Sequence, residues 1–266
     1  MNGFIRILII GAVLIGVVLL IVFLIRAWLF GRFVKRNFQR CNVVVDGKKG
    51  KGKDLLFQYV INKRKAPYYS NIDYGGKYEP IKVKDISVNP NTYVDFINDR
   101  ITQCKRTMKE RKDVYISDGG IYLPSYMDSQ LYKAFPSFPI YYALSRHLAD
   151  HNIHVNVQNV GRLWKALREQ ADFFVHVETN VKLPFFILVK CITYDNVNSA
   201  TETLKPIRGR WFNKFSKAEV DVFNAQHGDI RGGWVIIPKW RIKYNTRALE
   251  PVLFGDQPRI VEQGTD

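Results

Sequence analysis

Cysteine is scarce in this chain: Cys41, Cys104 and Cys191 are its whole complement, with no C-x-x-C spacing among them. That excludes a disulfide-stapled scaffold and a cysteine zinc site, and it fits a reducing cytoplasm. Acidic residues are also few, 24 Asp and Glu against 40 Lys and Arg, for a formal charge of +16. So strong an imbalance points to a polyanionic partner: nucleic acid, anionic lipid head groups or phosphates. Internal repeats and low-complexity tracts are absent from the text. With 47% of its 266 residues apolar, the chain has the material for a real core, and wholesale disorder is excluded.

What the chain does have is one long uncharged run, Ile7 to Ile25, closed by Trp28. About 20 apolar residues cross a ~30 Å hydrocarbon core as a helix. A cleaved signal peptide is the rival, but its apolar region runs only ~7–15 residues before a small-residue cleavage site, and no such site follows. Arg6 precedes the run, whereas Arg26, Arg32, Lys35, Arg36 and Arg40 follow it. The positive-inside bias therefore puts the N-terminus outside and the rest in the cytoplasm.

Beyond the run, "CNVVVDG" reads as a buried strand stopped by an Asp-Gly turn, and Asp54 to Lys63 as a helix. "KAPYYSNIDYGGKYEPIKVKDISV" holds turn formers and short strands. A helical period follows, with Phe96, Ile97, Ile101 and Cys104 on one side. "DVYISDGG" is a strand ending in Asp118 and two glycines; 140–150 reads as a helix, and "NIHVNVQN" as a strand closing on Gln158. Val160, Leu163, Trp164 and Leu167 form a helical stripe before the strand "DFFVHV". Strands alternating with helices imply a mostly parallel α/β sheet. From residue 184 the text turns β-rich. The expected organisation is a transmembrane helix at 1–30, a basic linker at 31–41, a nucleotide-binding domain at 42–183 and a β-rich extension at 184–266.

The stretch "DGKKGKGKDLL" carries Gly47, Gly50, Gly52 and Lys53 in the pattern G-x-x-x-x-G-K, with Lys49 and Lys51 between them and Asp54 where Ser or Thr is usual. Glycines let successive backbone N–H groups converge on phosphate oxygens, the following helix adds its N-terminal dipole, and the lysine bridges the terminal phosphates. The alternative is a basic surface turn. Asp118, at a second strand end, is placed to hold magnesium, or else simply starts a turn. Gln158 is a candidate γ-phosphate sensor or an edge polar residue. Arg162 and Arg168, flanking Trp164 on one helix, would serve as an arginine finger or as a solvated face. "KPIRGRWFNKFSK" mixes Arg208, Arg210 and Lys214 with Trp211, a pattern that would track single-stranded DNA or lie on a bilayer. His151, His154 and His176 lack the spacing of a metal site, so no metal is expected apart from nucleotide-bound magnesium.

Taken in order, "VVVDGKKGKGKD", "SNIDY", "VYISDGG", "LSRHLADHNIHVNVQN" and "LWKALREQADFFVHV" resemble the zonula occludens toxin (Zot) family, the P-loop assembly ATPases of filamentous phages. The resemblance covers residues 42 to 180. It implies an additional-strand, RecA/FtsK-like fold, ATP and magnesium as cofactors, and a homo-oligomer. It also implies a role with phage coat proteins in extruding single-stranded DNA through the cytoplasmic membrane.

The chain departs from the family in three respects. Asp54 replaces the magnesium-binding hydroxyl. A carboxylate is also a hard oxygen ligand, so Asp54→Ser is expected to leave magnesium-dependent binding intact or to strengthen it. Gly119 replaces the acidic residue that polarises the attacking water, and Gly119→Glu is expected to raise turnover. The apolar span precedes the ATPase domain, whereas the best-known members carry it afterwards and continue into a periplasmic domain; this order fits a host lacking an outer membrane, or a truncated relative. Two rival readings are a nucleotide-binding scaffold that does not hydrolyse, and a DNA translocase of conjugation or chromosome type.

Overall fold

Eight strands hydrogen-bond into one sheet in the order β3-β2-β4-β5-β1-β6-β7-β8. The computed structural model describes residues 3–64, 66–80, 113–134, 139, 142–143, 145, 152–195 and 230–242. The helical period around Phe96 to Cys104, most of 140–150, and the segment holding Arg208, Arg210, Trp211 and Lys214 lie outside the described residues.

The parallel part comprises β1 (Val43–Asp46), β2 (Tyr68–Ser70), β3 (Tyr78–Pro80), β4 (Asp113–Ile116), β5 (Ile153–Val157) and β6 (Phe173–Lys182). β1, β4 and β5 are buried along their whole length. Covered on both faces, they are rich in β-branched residues, with Asp46, Asp113, His154 and Asn156 as buried polar exceptions. The two faces are filled separately. Val44, Val114, Ile116, Val155, Leu163, Trp164 and Phe174 pack on one side, and Val43, Val45, Phe57, Tyr115 and Val175 on the other. Successive β1 side chains thus alternate between two cores, as the period of two requires.

β6 turns back into β7 (Phe186–Tyr194), and β8 (Arg231–Pro238) pairs with β7 on its other side, both pairings antiparallel. The β-rich text after residue 184 is therefore the continuation of the same sheet, joined strand to strand across the expected boundary at 183.

Helix α1 runs unbroken from Gly3 to Phe38, about 54 Å at 1.5 Å per residue. It is long and apolar enough to cross a membrane, and its most apolar window is buried against nothing. Its last turns differ. Ala27, Val34 and Phe38 are buried at helical spacing. Val34 and Phe38 share one core with Phe57 of α2 (Lys53–Arg64), and the Phe38 and Phe57 ring centroids are 6.0 Å apart. Phe33 meets Phe173 at 5.9 Å. Residues 31–38, expected as a linker, are thus helical and part of the core. Full burial of Val34 and Phe38 stabilises this junction by about 1.5–3 kcal/mol each.

Short helices α3 (Gly119–Tyr122) and α4 (Asp128–Ala134) follow β4. The expected stripe Val160–Leu167 is buried at all four positions, yet it is not one helix. A single 3-10 turn spans Val160–Arg162, Leu163 and Trp164 are extended, and α5 covers only Lys165–Gln170. Leu163 bridges Pro124 and Trp164 N–H donates to Leu123 carbonyl at 2.7 Å. A tertiary hydrogen bond overrides the local period here.

Candidate nucleotide site

Parallel strands place their C-terminal ends on one edge, and the candidate residues collect there. After β1 the chain turns through Gly47, Gly50 and Gly52 at φ of 148°, 76° and 102°. A Cβ on Gly47 would fall 2.6 Å from the Val177 carbonyl, so the strand-to-loop exit admits only glycine. Asn180 on β6 donates to the Gly50 carbonyl at 2.7 Å and pins the outside of the loop. His176 Nδ1 and the Asp46 carboxylate, 2.8 Å apart, tie β6 to the end of β1. Lys48, Lys49 and Gly50 are exposed. Lys53 opens α2, is buried, and folds its ammonium back into the loop. Its Nζ donates to the carbonyls of Gly47 at 2.9 Å and Lys48 at 3.4 Å.

Asp54 holds an unexpected position. Its Oδ1 accepts from Asn156 Nδ2 at 2.6 Å, Tyr74 Oη at 2.8 Å and Ser117 Oγ at 2.9 Å. One carboxylate oxygen thereby fastens the first turn of α2 to β5, to the end of β4 and to the segment after β2. Asn156 also accepts the Asp118 amide at 2.7 Å. Asn71 exchanges two hydrogen bonds with the Ser117 backbone, at 2.7 and 2.9 Å. Sequence reasoning did not single out Asn71, Tyr74, Ser117 and Asn156. The first two belong to "SNIDY"; Ser117 adjoins Asp118, and Asn156 lies two positions before Gln158.

Asp118 adopts φ 51° and ψ 43°, the left-handed region that Asp and Asn tolerate better than other non-glycine residues. Burial first, and the neighbouring Asp54 carboxylate second, push its carboxyl above the ordinary aspartate range; Lys53 and Lys49 pull the other way. A cation placed there would relieve this repulsion. Gly119 cannot accept the acidic side chain its position suggested, because a Cβ would overlap Val155 Cγ1 of β5. A glutamate at 119 would therefore displace β5 packing and, contrary to the expected gain in turnover, would not sit as a ready base.

Asp118 lines a shallow open cleft together with Gly120, Ile121, Gln158 and Arg162. Gln158 and Arg162 are exposed and so belong to the edge. Arg168 lies on α5, separate from the turn that carries Arg162, so the two arginines do not share a helix. His154 is buried between Phe38 and Tyr115, away from the loop. Among the described residues no group of three His, Cys, Asp or Glu side chains is arranged to hold a metal on its own.

These residues fit a nucleoside triphosphate. The glycine cradle that a Cβ would obstruct, with Lys53 inside it, would hold the phosphates. Asp118, with the second oxygen of Asp54, would supply hard ligands to magnesium. The inserted strand β5 lies between the loop strand β1 and the aspartate strand β4, and the glycine loop runs directly into α2. Together these define a P-loop NTPase fold of the additional-strand type.

No protein-family model matches the chain, and no curated protein does. Solved structures similar to it include the genome packaging NTPase of Sulfolobus turreted icosahedral virus 2 in complex with ATPγS, at 16% identity and TM-score 0.40, covering 61% of this chain and 95% of that one. Another is the N-terminal domain of zonular occludens toxin from Neisseria meningitidis, at 12% identity and TM-score 0.42, covering 78% and 96%. A third is EssC (ATPases 2 and 3) from Geobacillus thermodenitrificans, at 12% identity and TM-score 0.38, covering 80% and 42%.

Proposed function

We propose that this chain is a membrane-tethered P-loop ATPase of the phage-assembly type, which couples nucleotide binding at Gly47–Asp54 to extrusion of single-stranded DNA through the cytoplasmic membrane. The observation that carries the reading is Lys53, buried inside a loop of left-handed glycines on the edge that also bears Asp118, Gln158 and Arg162. ATP would supply the free energy of phosphoanhydride cleavage, and magnesium would neutralise phosphate charge. The chain's residues would orient the phosphates through the loop amides and Lys53, and sense their loss through Gln158. Arg162, exposed at the rim, would face the nucleotide of a neighbouring copy in a homo-oligomer. The helix α1 supports the tether, with the N-terminus outside and the sheet in the cytoplasm, and the charge of +16 supports a DNA partner. Phage coat proteins would be the further partners.

One observation favours a second reading, a nucleotide-binding scaffold without turnover. The position after Asp118 is sterically closed to an acidic base by Val155, and losing a general base typically costs ~10²–10⁴ in rate. The test is magnesium-dependent ATP hydrolysis by the full chain in vesicles, with and without circular single-stranded DNA. Turnover stimulated by single strands over duplex supports the ATPase. Nucleotide binding without turnover leaves the scaffold. Binding to single strands should also weaken steeply as salt rises, because basic residues displace counterions.

A further inference from the structure

The geometry points to a second membrane contact: the β6–β7 tip, together with Trp240, is an interfacial wedge that rests in an anionic bilayer. This inference rests on the membrane reading of α1. At the tip, Val181, Leu183, Phe185 and Phe186 are all substantially exposed, Phe185 by 70%. Trp240, just past β8, is 67% exposed and stacks edge-on against Phe186 at 5.8 Å. The two turns are tied together, since Lys239 N–H donates to the Phe185 carbonyl at 3.0 Å. An aromatic cluster this exposed is costly in water and is the residue type that settles at head-group depth. Exposed Lys182 and Lys239 flank it, placed to let their stems lie on the acyl boundary while the ammonium groups meet anionic lipid.

Position argues for lipid over other partners. The edge strand β8 lies on α1: Arg231 stacks on Phe33 at 4.6 Å, Gly31 sits beside Val235, and Trp234 meets Phe23 at 6.5 Å. Phe23 belongs to the uncharged run that would occupy the bilayer. The sheet therefore touches α1 at membrane level, and Trp240 follows Trp234 by six residues, within about 20 Å at strand rise. A base-stacking platform would instead present its aromatics on a sheet face beside arginines. Here a narrow two-turn tip carries Val and Leu among the aromatics.

The test uses the full chain in phosphatidylcholine–phosphatidylglycerol vesicles whose acyl chains carry bromine near the head group. Tryptophan emission is compared between wild type, Trp240→Tyr and Trp28→Tyr. The expected result is that brominated lipid quenches most of the emission assigned to Trp240 by difference, and that Phe185→Asp releases this quenching while Trp28 stays quenched. Quenching of Trp28 without Trp240 would overturn the wedge and leave the spanning helix standing. Quenching of neither would overturn the membrane reading and the wedge with it. Quenching of Trp240 by added oligothymidine but not by brominated lipid would assign the tip to nucleic acid and overturn the proposal.

Discussion

The two halves of the sheet use glycine and aromatic residues in opposite ways. In the parallel half, glycines at positive φ shape the loop that folds around the Lys53 ammonium, and the aromatic rings of Phe57, Tyr74 and Tyr115 are buried against one another. In the antiparallel half, Gly233 lets the Phe30 ring of α1 lie directly on β8, and the rings of Phe185 and Trp240 are left outside. One half is built around a charge, and the other around an apolar helix. The joint between them is β6, whose first five residues are buried and whose end projects beyond the loop, where Asn180 touches Gly50.

The comparison breaks first where packing is tightest. Gly119→Glu forces a side chain into Val155 and is expected to destabilise the parallel half by about 3 kcal/mol, the upper end for overpacking. Chemical unfolding in mild detergent measures it, and adding Val155→Ala should restore part of the loss. Unchanged stability would mean that α3 can move away from β5.

Next comes Asp54→Ser. Removing a carboxylate that three side chains donate to leaves Tyr74, Ser117 and Asn156 short of an acceptor, at a cost of about 2 kcal/mol. The same unfolding assay reads it. Gly233→Ala should cost less, about 1 kcal/mol, because the ring of Phe30 can shift; it should loosen α1 while leaving nucleotide affinity intact. A Gly233→Ala protein that no longer binds nucleotide would show that the halves are not separable.

The smallest effect is the pH dependence carried by Asp118. Its carboxyl is raised above the ordinary value of 3.8, so the folded state holds its proton more tightly than the unfolded state. The contribution to stability is therefore full below the unfolded value and is lost as pH rises through the folded one. Asp118→Asn keeps a neutral side chain that tolerates the left-handed backbone. It is expected to gain stability over wild type progressively as pH climbs above 4, an estimate tied to that reference value. Parallel stability curves for the two proteins would contradict the shift.

How much of this was legible follows from what each residue answers to. β1, β4 and β5 were readable because strands buried on both faces are rich in β-branched residues, and turn formers follow each within a few positions, namely Gly47, Asp118 and Asn159. Lys53 and Asp118 were legible as residues just beyond strand ends, and the structure brings them to one edge, close enough for Lys53 to act on the Asp118 carboxyl. The last turns of α1 were hidden because Arg32 stands just before Val34, and Lys35 and Arg36 lie between Val34 and Phe38; together they look like a solvated linker, although a helix sends them to another face. The clasp on Asp54 was out of reach for a different reason: its donors stand 20, 63 and 102 positions away, and only the sheet order brings them together. The closure of Gly119 depends likewise on Val155, a residue of another strand.

The central claim is that the 47–54 loop is a working phosphate cradle. Isothermal titration of ATP and magnesium into the full chain, comparing Lys53→Ala with Lys48→Ala, tests it most directly. Lys53 is buried in the cradle, and a charged hydrogen bond is worth about 1.5–3 kcal/mol, so Lys53→Ala is expected to weaken binding roughly 10- to 100-fold. Lys48 is exposed, and its removal should change affinity less than about threefold, as for a surface charge in high dielectric. Equal and small effects at the two positions would make the loop a lysine-rich turn, and the ATPase reading would fall with it.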